Sequence, residues 1–323
     1  MAARTPDINV EVLHPEEFVR RAWVPPPVHE RYWLHALLLA LTLVTTTATG
    51  AMHWLSFQAD FREQMPSIPA VSLALNGLWY GLTILAILGA HELGHYLACR
   101  YYGISASLPY FLPVPFPLTG TAGAFIRIRQ AITTKPALFD IGIAGPLAGF
   151  VVAVPALFVG LALSRIVEVP ADFSGLSLGE PLLFKAAAWL VWGPVPDHQS
   201  INLHPMAFAA WFGLLATALN LFPIGQFDGG HIAYAALGRR AFVVSLATLC
   251  AAVGLSVYSS SWIVWTAVAV GLLFAFGWRH PRTWDEDVPL DRRRMMLALV
   301  ALIVFVLCFT PAPLEPLDLI QPK

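Results

Sequence analysis

The stretch His91-Glu92-Leu93-Gly94-His95 lies inside an apolar run from about Val71 to Tyr101. A bilayer-spanning helix needs about 20 apolar residues, and this run is long enough. Residues four apart share one face of a helix, so the two imidazoles can hold a single metal ion. Glu92, beside the first imidazole, is placed to take a proton from an attacking water. A charge at the bilayer centre costs about 2.5–3.5 kcal/mol on insertion scales, so ionisable groups there mark functional sites. The cluster therefore predicts a catalytic zinc centre within the membrane. The competing reading is a pair of buried, hydrogen-bonded histidines, which the apolar setting makes costly to place by accident.

Composition agrees with a membrane setting. The chain has 323 residues, 57% of them hydrophobic and 12% charged, with a mean hydropathy of +0.66. Soluble domains carry about 25% charged residues. This predicts an all-α polytopic protein, because helices satisfy their own backbone groups in lipid. Apolar runs at about 33–55, 71–100, 138–164, 205–223, 241–258, 261–278 and 295–311 give seven candidate transmembrane helices. Residues 1–31 read as a polar tail, 32–311 as one intramembrane domain with its core at about 71–237, and 312–323 as a second tail. No cleavable signal is visible, which favours a prokaryotic inner membrane. Cys99, Cys250 and Cys308 form no CxxC and read as small apolar side chains. No basic run with interleaved aromatics points to nucleic acid.

With the N-terminus cytoplasmic, 15 of the 19 Lys and Arg residues fall on the cytoplasmic side, leaving Arg62, Arg165, Lys185 and Lys323 outside. That asymmetry follows the positive-inside rule. His95 is five residues before Arg100, about 7.5 Å along a helix. The site is thus expected in the cytoplasmic half of the bilayer.

Between the second and third runs, Leu108 to Pro117 holds four prolines and cannot be a regular helix. A short re-entrant or interfacial hairpin is expected there. From Ala124 the sequence alternates, with Phe125, Arg127 and Arg129 on one side and Ala124, Ile126 and Ile128 on the other, which is strand periodicity. Gly123, Ala124, Phe125 and Ile126 are candidates to bind an extended substrate along that edge. A surface loop strand without that role is the alternative. In the third run, Gly145 and Gly149 form a GxxxG spacing suited to close helix approach. Residues 165–204 form a mixed segment with an interfacial helix around Trp189 and Trp192. Arg292, Arg293 and Arg294 read as a topology anchor.

A catalytic zinc needs three protein ligands and an open position. The best third candidate is Asp228, where Pro223 and Gly225 interrupt the fourth run. Broken backbone at membrane depth is tolerated where protein or a water-filled cavity covers it. Asp228 is either a ligand or the N-cap of the next helix. Asn220 can donate to a developing oxyanion or make an interhelical hydrogen bond. His231 reads as a structural neighbour, and His14, His29, His53, His198, His204 and His280 as incidental.

At this point the chain resembles the site-2 protease family of intramembrane metalloproteases. The resemblance rests on His91-Glu92-Leu93-Gly94-His95 and on Asn220-Leu-Phe-Pro223 leading to Asp228-Gly229-Gly230. Gly120-Thr-Ala-Gly-Ala and Ala144-Gly-Pro-Leu-Ala-Gly add to it, and it covers roughly 71–237. It implies one zinc per chain held by His91, His95 and Asp228, Glu92 as the base, and cleavage of a transmembrane substrate near the cytoplasmic side. It also implies that Asn220 lies by the scissile bond. The chain departs from many members in having no room for a PDZ domain at 165–204, no CBS-like domain after Glu315, and fewer prolines before Asp228. The alternative function is a zinc transporter or carrier using the same cluster.

Overall fold

The computed structural model describes residues 30–62, 64–116, 118–170, 175–196, 198–276 and 281–316. The expected N-terminal tail up to residue 29, Arg279 and the last residues from 317 lie outside these. The chain divides into Met1–Tyr32 and Trp33–Lys323. The site lies in the second unit.

In chain order the elements are α1 (Tyr32–Ala59), α2 (Ala70–Tyr101), β1 (Tyr110–Pro113), β2 (Thr121–Phe125), α3 (Lys135–Ala162), β3 (Arg165–Glu168), β4 (Leu176–Leu178), α4 (Leu182–Trp192), β5 (Gln199–Asn202), α5 (Pro205–Asn220), α6 (Asp228–Leu237), α7 (Ala241–Tyr258), α8 (Ser261–Phe276), α9 (Arg292–Cys308) and β6 (Leu314–Pro316). The molecule is an integral membrane protein and mostly helical. Each of the seven apolar runs holds a helix. Four stretches are long and apolar enough to cross a bilayer: Tyr32–Ala59, Ala70–Tyr101, Lys135–Ala162, and Asp228–Tyr258 taken together. The count of seven is therefore not reached on length. With 16 residues, α5 reaches about 24 Å, against about 30 Å of hydrocarbon. It need not match lipid, because Ala207, Ala209, Ala210, Trp211 and Leu214 are all fully buried in protein.

Helices α2, α3 and α5 form the core, around Ile87, Phe139, Leu157, Leu161, Trp211 and Leu214. Pro146 and Pro155 sit inside α3 without ending it. Neighbouring helices and local adjustment compensate such breaks in membrane helices.

The segment between α2 and α3 forms an antiparallel β1–β2 pair, with Tyr110 opposite Phe125 and Phe111 opposite Ala124. The strand lies at 121–125, earlier than the stretch expected from Ala124 onward; beyond it only a single Ala106–Ile128 bridge forms. Register is set by the irregularity between Phe111 and Pro113 and by Gly120 and Gly123, both at positive φ, which alternation does not report. The hairpin tip is held through its carbonyls. Thr49 Oγ1 donates to Phe116 O at 3.3 Å, His53 Nε2 lies 3.1 Å from Leu118 O, and Tyr80 donates to Thr119 O at 2.9 Å. His53 is thus engaged, not incidental.

Two short ladders, β3–β5 and β4–β6, were not anticipated. Strands of three or four residues carry too few alternations to stand out. Through β6, residues counted with the C-terminal tail join Leu176–Leu178. The mixed segment does contain the expected helix, α4.

His204 also has a definite role. Its Nδ1 accepts from Met206 N at 3.2 Å, capping α5, and its ring meets Trp54, Phe57 and Trp79 edge-on. Burial, with help from the Arg165 charge, pushes its pKa down from 6.5 to about 4. The unfolded chain then binds the extra proton between those values, so stability falls as pH drops from about 6.5 towards 4 and is unaffected by this group above that window. Denaturant unfolding of the detergent-solubilised protein at pH 7.5 and 4.5 tests this. His204→Asn, which keeps a capping oxygen, is expected to flatten the slope.

Candidate metal centre

His91 and His95 lie on one face of α2 and are both buried. The turn 221–227 after α5 folds back so tightly that a side chain at Gly229 would meet the Leu221 and Phe222 carbonyls. It returns the chain to α2 with Asp228 at the first position of α6. The N-cap of α6 is Phe227, and no side chain caps the helix. Of the two readings of Asp228, the cap is the one the geometry does not support.

The carboxylate instead faces the imidazoles. Asp228 Oδ2 is 3.3 Å from His91 Nε2 and 3.3 Å from His95 Nε2, and the two Nε2 atoms are 3.1 Å apart. Among the described residues, this is the group of three His, Cys, Asp or Glu side chains able to hold a metal ion. Donors about 2.0–2.1 Å from a tetrahedral ion stand about 3.3 Å from one another, so the spacing fits zinc. The tautomer fits as well. His95 Nδ1 lies 2.7 Å from the Ile141 carbonyl, which can only accept. The proton is therefore on Nδ1, and the Nε2 lone pair points into the cluster.

The other candidates surround this group. Asn220 ends α5, with Nδ2 3.5 Å from His91 Nε2. Glu92 is buried, and the backbone N–H of Ile126, just past β2, faces its carboxylate. The structure thus brings the end of the expected substrate strand to the expected base. Gly123, Ala124 and Phe125 lie in β2, whose far edge pairs with no other strand among the described residues. His231 is outside the donor group.

The glycine spacing of α3 serves this site. A Cβ at Gly145 would run into the His95 ring at Nε2, Cδ2 and Cε1, and one at Gly149 would stand 3.3 Å from His91 Cβ. On the facing side, a Cβ at Gly94 would meet the Ala144 carbonyl. The close approach expected from GxxxG is where the imidazoles fit.

Two contributors escaped sequence reasoning: the Ile141 carbonyl and the Ile126 N–H. Both are backbone groups, and nothing in their side chains marks them.

Comparison with known proteins gives a consistent answer. The chain is 35% identical over 176 residues to "Probable zinc metalloprotease EGY2, chloroplastic" of Oryza sativa subsp. indica, covering 53% of this chain and 31% of that protein. It is 32% identical over 253 residues to "Probable zinc metalloprotease EGY1, chloroplastic" of Arabidopsis thaliana, covering 75% of this chain and 44% of that protein. The chain thus spans less than half the length of these relatives. No solved structure matches. The model of Peptidase family M50 matches residues 79–259, more than half of the chain and both helices that bring donors to the metal centre. With that match joining the motif on α2 to the one at Asp228, the chain belongs to Peptidase family M50, the site-2 protease family that its motifs resemble.

Proposed function

We propose that this protein is an intramembrane zinc metallopeptidase that hydrolyses a peptide bond in or near a transmembrane segment of a membrane-protein substrate. The observation that carries the reading is three donor atoms, from two separate helices, at the mutual spacing of a tetrahedral zinc shell. In this reading His91, His95 and Asp228 are the ligands, Glu92 is the base and Asn220 steadies the developing oxyanion. Zinc in that position supplies a Lewis acid for the attacking water and the scissile carbonyl. Glu92 takes the water's proton and returns it to the leaving amine. The substrate helix unwinds first, because a helical carbonyl is already hydrogen-bonded. Its extended chain then pairs with the free edge of β2 at Gly123, Ala124 and Phe125; Ile126, also a candidate on this edge, has its N–H on Glu92 and sets where the edge meets the base.

The hairpin is read as re-entrant. Its tip is bonded to Tyr80, and Tyr80 lies about 30 Å along α2 from Tyr101, near the hairpin's base. We also read α5, α8 and α9 as crossings, giving seven, with a catalytic core at 71–237 inside a single domain and the Arg-rich side cytoplasmic. Relatives named as chloroplastic give no support to the prokaryotic inner membrane expected from sequence.

Metal analysis of purified protein tests the site. Wild type is expected to hold about one zinc per chain. His91→Ala and Asp228→Ala are each expected to weaken zinc at least a hundredfold in chelator competition, since each removes one of three ligands. Full zinc content in both variants overturns the assignment.

A further inference from the structure

The strongest network outside the metal centre lies in residues 283–294, the end of the α8–α9 connection and the first turn of α9, beyond the part of the chain that the family match covers. This segment touches each helix that carries or orients a donor. On α3, Trp284 N donates to Thr133 O at 2.9 Å just before the helix, and the Asp285 carboxylate accepts from Lys135 N at 2.9 and 3.1 Å. The buried Lys135 Nζ donates to the carbonyls of Glu286 and Val288 at 3.0 and 2.6 Å. One turn on, Arg294 grips Asp140 with two bonds, Nε to Oδ1 at 2.9 Å and Nη2 to Oδ2 at 2.7 Å. The bidentate form fixes orientation as well as distance.

The same segment reaches the other two helices. Arg294 Nη2 donates to the Tyr102 hydroxyl at 3.1 Å, at the end of α2, and that hydroxyl in turn donates to Asp140. On α6, the Tyr234 hydroxyl donates to Glu286 Oε1 at 3.0 Å and accepts from Thr283 N at 3.3 Å. Tyr234 is six residues after Asp228 on one helix. Asp140 immediately precedes Ile141, whose carbonyl holds His95 Nδ1.

We infer that residues 283–294 form a brace that sets the register of α2, α3 and α6, with Arg294 and Tyr234 as positioning residues for the zinc ligands. The inference rests on the zinc reading above. Arg294 acts through Asp140 and Ile141 on His95, and Tyr234 acts through α6 on Asp228. Neither touches the donor atoms. Sequence reading gives Arg294 a topological role; its bonds to Asp140 and Tyr102 give it a second one. Groups that orient a ligand typically change metal affinity 10–100-fold when lost.

The test is the rate at which the zinc-loaded full-length protein in nanodiscs releases zinc to a chromophoric chelator. Arg294→Gln is expected to release zinc about tenfold faster than wild type. Arg294→Lys, which keeps the charge but not the two-pronged grip, is expected to fall between them. Tyr234→Phe, which keeps the ring and its packing, is expected to release zinc several-fold faster. Added zinc is expected to restore kcat in all three with KM unchanged, which a merely misfolded variant would not show. If wild type holds zinc and both Arg294→Gln and Tyr234→Phe release it within twofold of the wild-type rate, the brace inference falls alone. If wild type holds no zinc, the zinc reading falls and the brace with it.

Discussion

Glu92→Gln is expected to lower peptide-bond cleavage by about a thousandfold or more while zinc content stays at the wild-type level. General-base catalysis contributes about 10²–10⁴-fold, and the amide of glutamine cannot take a proton at all. The substitution preserves volume at a buried site, and the glutamine oxygen can still face the Ile126 N–H. The fold and the β2 contact are therefore retained. Zinc is retained because Glu92 is not one of the three clustered donors. The check is cleavage of a reconstituted transmembrane substrate, scored beside metal analysis of the same preparation. Turnover at the wild-type rate removes Glu92 from its role. The same preparation addresses the carrier alternative. A carrier built on His91, His95 and Asp228 would move zinc across vesicles with Glu92 replaced and would cleave nothing.

What the sequence made legible was side-chain chemistry at fixed spacing. His91 and His95 are four apart on a helix, and nothing but a helix was compatible with that apolar run. Asp228 was legible because a carboxylate at a broken membrane helix has few uses. Its rival role as a cap is not one that sequence excludes; in the structure Phe227 holds that position. The parts that stayed hidden are of another kind. Ile141 orients His95 through a carbonyl, and Ile126 meets Glu92 through an N–H; every residue has these groups, so no residue type reports them. The strand begins three residues before the alternating stretch because glycines at positive φ and an irregular pairing reset the register, and a period of two cannot see either. Arg294 and Asp140 are 154 apart in sequence, and Lys135 and Glu286 are 151 apart. Pairings over such distances depend on how helices pack. Length is hidden for a related reason: α5 is wrapped in protein, so it can be shorter than the bilayer thickness on which the expectation rests.

Gly145→Ala is expected to cost zinc affinity about a hundredfold or more, although it adds one methyl group far from any donor in sequence. The new Cβ would occupy the space of the His95 ring, in contact with Nε2, Cδ2 and Cε1 together. A free ring would swing aside at little cost. This one is held at Nδ1 by the Ile141 carbonyl, and Ile141 is four residues before Gly145 on the same helix. Moving the ring away from residue 145 therefore breaks the bond that fixes its tautomer. Moving α3 away instead opens the Gly94–Ala144 approach, where two helices touch almost backbone to backbone. Either route displaces a ligand, and loss of ligand orientation is worth about 10–100-fold before any loss of the ligand itself. The neighbouring glycines supply a graded control. Gly149→Ala would place its Cβ 3.3 Å from His91 Cβ, a tight contact that a shift of a few tenths of an ångström relieves, and an intermediate loss is expected. Gly89→Ala on α2 would meet only Phe111 Cζ at 3.6 Å, an ordinary contact, and is expected to bind zinc within about threefold of wild type while gaining helix propensity. Chelator competition on the three variants measures the order directly. Equal affinity at 145 and 89 would mean that α3 yields freely, and that the imidazoles are not held by the helix they face.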